Sequence, residues 1–113
     1  PEDSVSWHNR GACKYNLNQF EAAIPDFDMA MELNPDSGSW SYRGRSKYFL
    51  KQYKEAIPDY TKAIENDPDD AEYYINRGIA LEIVGGLRSA CRDWKKAVDL
   101  GDTRPIEWVR NQC

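Results

Sequence analysis

Histidine is almost absent from this sequence of 113 residues: His8 is the single one, so no metal site can be built from several imidazoles. Cysteine is scarce as well, and a cysteine–histidine nucleophile would have to pair His8 with Cys13. On one helix of 3.6 residues per turn these two residues are separated by about 500°, so they face different directions. Gly-rich phosphate-binding loops and serine nucleophile elbows are also lacking. The sequence therefore gives an enzyme hypothesis little support.

Long apolar runs and an excess of positive charge are missing too. No run approaches the ~20 apolar residues that a membrane-spanning helix needs. The net charge of -4 argues against general nucleic-acid binding, which depends on clustered Lys and Arg. With 41% hydrophobic and 30% charged residues, the chain has the composition and length of one ordinary folded unit. Because it begins at Pro1 rather than Met, we expect a domain of a longer polypeptide or a processed product.

The sequence contains three segments in which the same residue types recur in the same order. Gly11, Gly44 and Gly78 are separated by 33 and then 34 positions. The residues in phase with them are Trp7, Ala23, Phe27, Ala30 and Pro35, then Trp40, Ala56, Tyr60, Ala63 and Pro68, then Tyr74, Ala90, Trp94 and Ala97. A period of this length, with small and aromatic residues in phase, predicts an all-α array of stacked helix pairs.

The period divides the chain into repeat one (4–36), repeat two (37–70), repeat three (71–104) and a capping helix (105–113). In each repeat we expect a helix A followed by a helix B, at 5–17 and 20–33, 39–50 and 53–65, and 70–84 and 87–100. The capping helix would cover the apolar face of the last pair. Because Pro25 and Pro58 lie inside two B helices, we expect those helices to be bent or frayed near their N-termini.

This pattern resembles the tetratricopeptide repeat family, in which aromatic, Gly, Ala and Pro residues occupy set places in a helix pair of about 34 residues. The resemblance covers residues 4–104, although Asp102 stands where the family has Pro in repeat three. It implies an all-α fold, a right-handed superhelical solenoid of antiparallel helix pairs. It also implies a concave side, lined by the A helices, that binds peptide segments of other proteins without a cofactor.

The resemblance further assigns the residues that face the concave groove. Those we expect to contact a bound peptide are His8, Ala12, Tyr15, Tyr42, Arg45, Tyr48, Phe49, Ile75, Ile79 and Glu82. They form an aromatic middle, an apolar strip and one cation at Arg45. An extended or helical peptide with apolar anchors would suit this surface, because aromatic and Arg contacts commonly dominate binding.

One branch of the family captures the C-terminal carboxylate of a chaperone partner with a clamp of Lys, Asn and Arg. The matching positions in this chain are His8, Ala12, Tyr42, Glu72 and Asn76. None of them carries the clamp residue, and Glu72 would repel a carboxylate. We therefore expect that this chain is not a heat-shock co-chaperone of that type.

Two sets of recurring residues have structural explanations. The aromatic residues in phase with the repeat are expected to pack in the core, whereas Tyr48 and Phe49 either contact the ligand or pack on each other. Charged residues that also recur in phase are Arg10, Arg43 and Arg77, with Asp26, Asp59 and Asp93. We expect ion pairs between them within each repeat, exposed and worth about 0.5 kcal/mol each.

The cysteines permit a sharper expectation. Cys91 and Cys113 each lie 11 residues from Asp102, which sits in the turn between the last B helix and the capping helix. Antiparallel helices joined there would bring the two side by side, so a disulfide is geometrically reasonable. The alternative is a pair of reduced thiols buried at a helix contact, with Cys13 unpaired in either case. A disulfide would indicate a periplasmic or secreted protein, and reduced thiols would leave a cytoplasmic one open.

The sequence thus predicts a non-catalytic protein-interaction module that binds a peptide segment of a partner in its concave groove. Self-association is the alternative, because an array whose first helix has no neighbour exposes an apolar face. We expect a protein or peptide partner, with no nucleic acid and no membrane span, and a homo-oligomer if the alternative holds. An enzyme is the third and least supported hypothesis.

Overall fold

The computed structural model describes residues 3–35 and 38–113, which form seven α-helices and no strand. The helices are α1 (Ser4–Asn16), α2 (Phe20–Leu33), α3 (Ser39–Phe49), α4 (Tyr53–Asn66), α5 (Ala71–Ile83), α6 (Leu87–Asp99) and α7 (Ile106–Gln112). Every helix end lies within one residue of its predicted position, and the all-α repeat fold is confirmed. The predicted boundary between repeats one and two, at residues 36 and 37, lies outside the described residues.

The turn from each A helix to its B helix has the same backbone in the three pairs. It places one residue in the left-handed region, namely Asn18 (φ 62°), Lys51 (φ 63°) or Gly85 (φ 95°). In the first pair the backbone N–H of Gln19 then donates to the carbonyl of Lys14 over 2.8 Å. This Schellman-type closure satisfies a terminal carbonyl and sends the B helix back antiparallel to its partner.

Each helix packs against the helices before and after it, which produces an elongated body of 47 × 25 × 20 Å. Glycine allows the close approach of A and B helices, because a Cβ added at Gly11 would lie only 2.7 Å from Phe27 Cε1. A Cβ added at Gly78 would overlap the indole of Trp94. The most buried Ala and aromatic side chains of the B helices are Ala23, Phe27, Ala30, Ala56, Tyr60, Ala63, Ala90, Trp94 and Ala97.

Three arginines of the A helices each hold an aspartate of the following B helix through two hydrogen bonds. The pairs, which we call the arginine–aspartate ladder, are Arg10–Asp26, Arg43–Asp59 and Arg77–Asp93, with N···O distances between 2.7 and 2.9 Å. The guanidinium groups also stack on rings of their own helices. Arg10 lies 4.7 Å from the ring centre of Trp7, a distance that suits a cation–π contact.

The ladder confirms the predicted pairing, but the predicted exposure of the pairs is wrong. Asp26, Asp59 and Asp93 are buried, with exposed fractions of 2%, 1% and 5%. The hydrogen bonds from Arg10 hold the pKa of Asp26 below its usual range, although burial acts in the opposite direction. Because removal of one partner leaves a buried charge uncompensated, we expect that loss to cost more than the ~0.5 kcal/mol of an exposed pair.

The ladder also joins successive repeats. Arg43 Nη1 donates to Asp28 Oδ1 of the preceding B helix at 2.7 Å. Arg77 Nη1 donates to Thr61 Oγ1 of its preceding B helix at 3.2 Å. One guanidinium therefore fixes both the packing inside a repeat and the stacking on the repeat before it.

The two prolines do not fray their helices, so the prediction of frayed N-termini is wrong, and the alternative of bent helices stays a prediction. Helices α2 and α4 begin at positions equivalent to the start of α6, which has no Pro. The Ala23 N–H still donates to the carbonyl of Gln19, at 2.9 Å. Pro25 and Pro58 are each the sixth residue of their helix and are exposed, so each removes one helical hydrogen bond where water can replace it.

Helix α7 packs on the last helix pair mainly through Trp108. Its ring centre lies 5.3 Å from that of Trp94, and it also packs against the buried cluster of Tyr74 and Ala97. Of the two alternatives for the cysteines, the structure has the disulfide between Cys91 and Cys113, whose Cα atoms are 5.8 Å apart. Cys13 is free and exposed.

We predict that Asp59→Ala lowers the free energy of unfolding by about 3 kcal/mol, because Arg43 and Lys47 lose a buried counter-charge. The matched control is Asp28→Ala, which removes another carboxylate bound to Arg43 but one that is 51% exposed. It should cost less than about 1 kcal/mol. Urea denaturation followed by circular dichroism measures both, and equal losses would contradict the role given to burial.

Candidate functional site

The A helices converge on one side of the array. Helix α1 contacts α3 and α3 contacts α5, whereas within the described residues α2 does not contact α4 and α4 does not contact α6. The side formed by the A helices is therefore the narrower, concave one. It is the candidate groove.

Aromatic side chains meet in the middle of this groove. The Tyr15 ring lies 5.4 Å from that of Tyr42 and 6.2 Å from that of Phe49. Phe49 stacks on Phe20 at 4.8 Å and meets Tyr48 edge-on at 5.5 Å. Phe49 nevertheless remains 52% exposed. Of the two alternatives for Tyr48 and Phe49, the structure has the packing of one ring on the other, and their contact with a ligand stays a prediction.

A cavity of about 210 Å³ opens beside these rings. Its lining residues are Tyr15, Arg45, Tyr48, Phe49, Tyr60, Glu72 and Asn76. The Arg45 guanidinium lies 5.7 Å from the ring centre of Tyr42, within cation–π distance. Burial raises the pKa of Tyr15 and of Tyr48, so both hydroxyls stay protonated at neutral pH and can donate hydrogen bonds.

His8 lies where repeat one meets repeat two. Its Nδ1 atom is 2.8 Å from Ser39 Oγ, and its ring centre is 5.8 Å from that of Phe27 and 5.2 Å from that of Tyr42. Burial among these groups lowers the pKa of His8, so the imidazole is neutral at neutral pH. His8 therefore contributes to inter-repeat packing, and its contact with a ligand stays a prediction.

Arg104, between α6 and α7, reaches back to the groove and was missed by the sequence analysis. Its Nη2 atom lies 2.6 Å from Glu72 Oε2 and 2.6 Å from Asp102 Oδ2. Its hydrogen bonds hold the pKa of Asp102 below its usual range. No periodic pattern predicts this contact, because Arg104 lies in the turn after α6 at the end of repeat three and Glu72 lies 32 positions earlier. The charge of Glu72 is thus partly compensated.

The remaining predicted groove residues differ in how much surface they offer. The structure places Ile75 in the core at 3% exposure, with Ile79 and Trp108 packed against its cluster. Ile75 is therefore not open groove surface as predicted, because its cluster is covered by Ile64, Ala71, Ile79, Leu100 and Trp108. Ala12 and Glu82 are half-buried, and their contact with a ligand stays a prediction.

Among residues 3–35 and 38–113 no cluster of His, Cys, Asp or Glu is arranged to hold a metal ion. In the same part of the chain no helix is both long and apolar enough to cross a bilayer. What the described site offers is aromatic surface, one nearby guanidinium and hydroxyl donors. This chemistry suits binding through apolar and hydrogen-bonding contacts.

The architecture defines the class: an all-α helical repeat solenoid. Two models of the same repeat match the chain, one described as tetratricopeptide repeat at residues 4–37 and one as TPR repeat at residues 44–85. The chain belongs to the tetratricopeptide repeat (TPR) family. Comparison with curated protein sequences finds no match.

Solved structures show the same fold. The first TPR of Spaghetti bound to HSP90 peptide SRMEEVD has a TM-score of 0.87 at 18% identity, with 96% of this chain and 89% of that chain covered. YrrB, a TPR protein with an unusual peptide-binding site, has a TM-score of 0.85 at 20% identity, with 100% and 59% covered. MamA 41-end from Desulfovibrio magneticus RS-1 has a TM-score of 0.83 at 28% identity, with 88% and 56% covered. This chain thus spans little more than half of the last two.

We predict that the free energy of unfolding falls as the pH is lowered through the ordinary His value of about 6.5. In the unfolded chain His8 has its ordinary pKa, whereas burial lowers it in the fold. The unfolded state therefore binds more protons in this window, and acidification favours it. Urea denaturation at several pH values above those of carboxyl titration measures the slope. In His8→Gln the slope should vanish, and a slope that persists would assign the effect to another group.

Proposed function

We propose that this chain is a non-catalytic protein-interaction module that binds a peptide segment of a partner protein in its concave groove. The observation that carries this proposal is the cavity beside Tyr15, Arg45 and Phe49. It combines exposed aromatic surface with a cation, in the middle of a concave face formed by three helices. Aromatic and Arg side chains are the residues that most often dominate binding energy at protein interfaces.

The size and lining of the cavity support a peptide side chain as the occupant. A volume of about 210 Å³ lies below the range of about 300–1,000 Å³ typical of small-molecule sites, so one side chain suits it better than a whole metabolite. Tyr15, Tyr48 and Phe49 provide apolar walls. The protonated hydroxyls of Tyr15 and Tyr48 can donate to backbone carbonyls of an extended peptide.

The charges in the groove favour a peptide with an acidic residue beside its apolar anchor. Within the described residues Arg45 forms no ion pair with the chain, so it can meet an anionic group of a ligand. Glu72 lines the same cavity but is already bound by Arg104. A terminal carboxylate at the Glu72 position is disfavoured, so we expect a mode of binding different from a carboxylate clamp.

The structural relatives are consistent with this proposal. The first TPR of Spaghetti was solved with an HSP90 peptide, and YrrB has an unusual peptide-binding site. Identities of 18% and 20% support a shared fold and no more. We therefore infer the kind of ligand from the groove residues of this chain. The alternative, self-association, is favoured by exposed apolar side chains at the two ends of α1, where Val5 is 65% exposed and Leu17, directly after the helix, is 68% exposed.

We predict that peptides selected from a random library on the wild-type domain carry an aromatic or aliphatic residue next to an acidic one. Arg45→Glu should weaken their binding at least about tenfold, because it reverses the charge that meets the acidic residue. Arg45→Glu with Tyr48→Ala should abolish it. Fluorescence anisotropy with a labelled selected peptide measures the affinities, and circular dichroism checks that each variant is folded.

Lys54→Glu is the matched control, because it makes the same charge change at an exposed position of α4 outside this cavity. It should bind the selected peptides as the wild type does. Equal binding by the wild type and by Arg45→Glu would contradict the groove as the binding surface. A domain that binds no selected peptide and elutes as a dimer would favour self-association.

A further inference from the structure

A second charged surface lies on the last B helix, away from the concave groove. Arg88, Arg92 and Lys95 follow one another at spacings of four and three residues on α6 and are exposed. On a helix this spacing places them on one face, within about 10 Å along the axis. We call these three residues the α6 basic face.

The charges of this face are uncompensated within the part of the chain that the structure describes. None of the three side chains forms an ion pair there. The nearest acid in sequence, Asp93, is buried and bound to Arg77. Asp99, in the last turn of α6, is exposed and adds negative charge at one end only. The face is thus a local concentration of positive charge on a chain whose net charge is -4.

The basic face borders a groove rather than a flat surface. A cavity of about 370 Å³ is lined by Leu87, Arg88, Cys91, Arg92, Lys95, Gln112 and Cys113. The disulfide between Cys91 and Cys113 holds the end of α7 beside α6 and so forms one wall of this cavity. Leu87 is 41% exposed and adds apolar surface. The site therefore combines apolar contact area with three cations.

Arg92 extends this surface towards the neighbouring repeat. It also lines a cavity of about 300 Å³ with Ile57, Thr61, Arg77, Leu81, Ser89 and Asp93. The two cavities thus meet at one guanidinium, and together they follow the B-helix side from α7 to α4. An extended chain of several residues could lie along them, with its anionic groups against Arg88 and Arg92.

We propose that the α6 basic face binds an acidic peptide segment of a partner protein, with an apolar side chain of that segment in the groove beside the disulfide. We choose this partner because acidic side chains complement the three cations and an apolar side chain suits the apolar lining of the groove. A membrane surface or a nucleic-acid duplex presents anions over a much larger area, and the net negative charge of the chain would oppose close approach to it. A peptide can enter a groove of this size.

This site is distinct from the concave groove. The two cavities of the α6 basic face share no lining residue with the cavity beside Arg45. Most residues of the concave cavity belong to the A helices, whereas the three cations of the α6 basic face lie on a B helix. A negative result for one site is therefore distinguishable from a negative result for the other. Arg45→Glu changes the concave groove, whereas Arg88→Glu with Arg92→Glu changes the α6 basic face.

The test uses a fluorescein-labelled model peptide of alternating Glu and Leu residues, titrated with the wild-type domain in fluorescence anisotropy. A peptide with Gln in place of every Glu is the ligand control. We expect the acidic peptide to bind and the Gln peptide to bind at least about tenfold more weakly. Added salt should weaken the acidic peptide further, since exposed charges are screened within about 8 Å at 0.15 M ionic strength.

Arg88→Glu with Arg92→Glu should weaken binding of the acidic peptide at least about tenfold. Lys51→Glu with Lys54→Glu is the matched control, because both residues are exposed, line neither cavity and undergo the same charge change. This control should bind as the wild type does. Cys91→Ser with Cys113→Ser removes the disulfide wall and should weaken binding several-fold while circular dichroism remains helical.

Four outcomes would overturn the proposal. The first is absence of binding of the acidic peptide at low salt. The second is equal affinity in the wild type and in Arg88→Glu with Arg92→Glu. In the third, Arg45→Glu alone abolishes binding, which would show that the peptide binds in the concave groove. In the fourth, phosphatidylserine vesicles or duplex DNA bind more tightly than the peptide, which would make a membrane surface or a nucleic acid the partner of this face.

Discussion

The arginine–aspartate ladder is the contact on which the rest of the structure depends. Each buried carboxylate is balanced by a guanidinium from the preceding A helix, and in the second and third pairs the same guanidinium reaches one repeat further back. A hydrophobic contact alone would tolerate some rotation of one helix pair on the next, because it is not directional. Two hydrogen bonds to the aspartate fix the plane of each guanidinium, and in the second and third pairs they direct a further single hydrogen bond to the preceding repeat. The ladder thus sets the stacking that brings α1, α3 and α5 together as a concave face.

The ladder also determines where charge remains available for a partner. It places Asp26, Asp59 and Asp93 in the interior, so these acids contribute little to the surface field. In the first two repeats a lysine joins each carboxylate, Lys14 at 3.0 Å and Lys47 at 3.1 Å. The equivalent position in repeat three is Leu81, which supplies no cation. The charges of the ladder stabilise the fold, whereas Arg45 lines the concave cavity without an ion pair in the described residues and the cations of the α6 basic face are exposed.

The helices were predictable because their signals are local. Gly, Ala and aromatic residues in phase locate A and B helices to within one residue, since a period of about 34 admits few other folds. Contacts between repeats were less predictable. Ile75 belongs to a core cluster against which Trp108 of α7 packs, and Glu72 is bound by Arg104 from the turn between α6 and α7. Both depend on how α7 docks, and no repeated pattern encodes that docking.

The C-terminal end shows why departures from the repeat are informative. Gly101 takes a left-handed conformation (φ 102°). The next residue, Asp102, stands where the two earlier repeats have Pro, and it accepts a hydrogen bond from Arg104. This turn directs the chain back, so that α7 packs on α6 and Cys113 meets Cys91. The same departure therefore covers the last core and places the wall of a groove beside the exposed cations of α6.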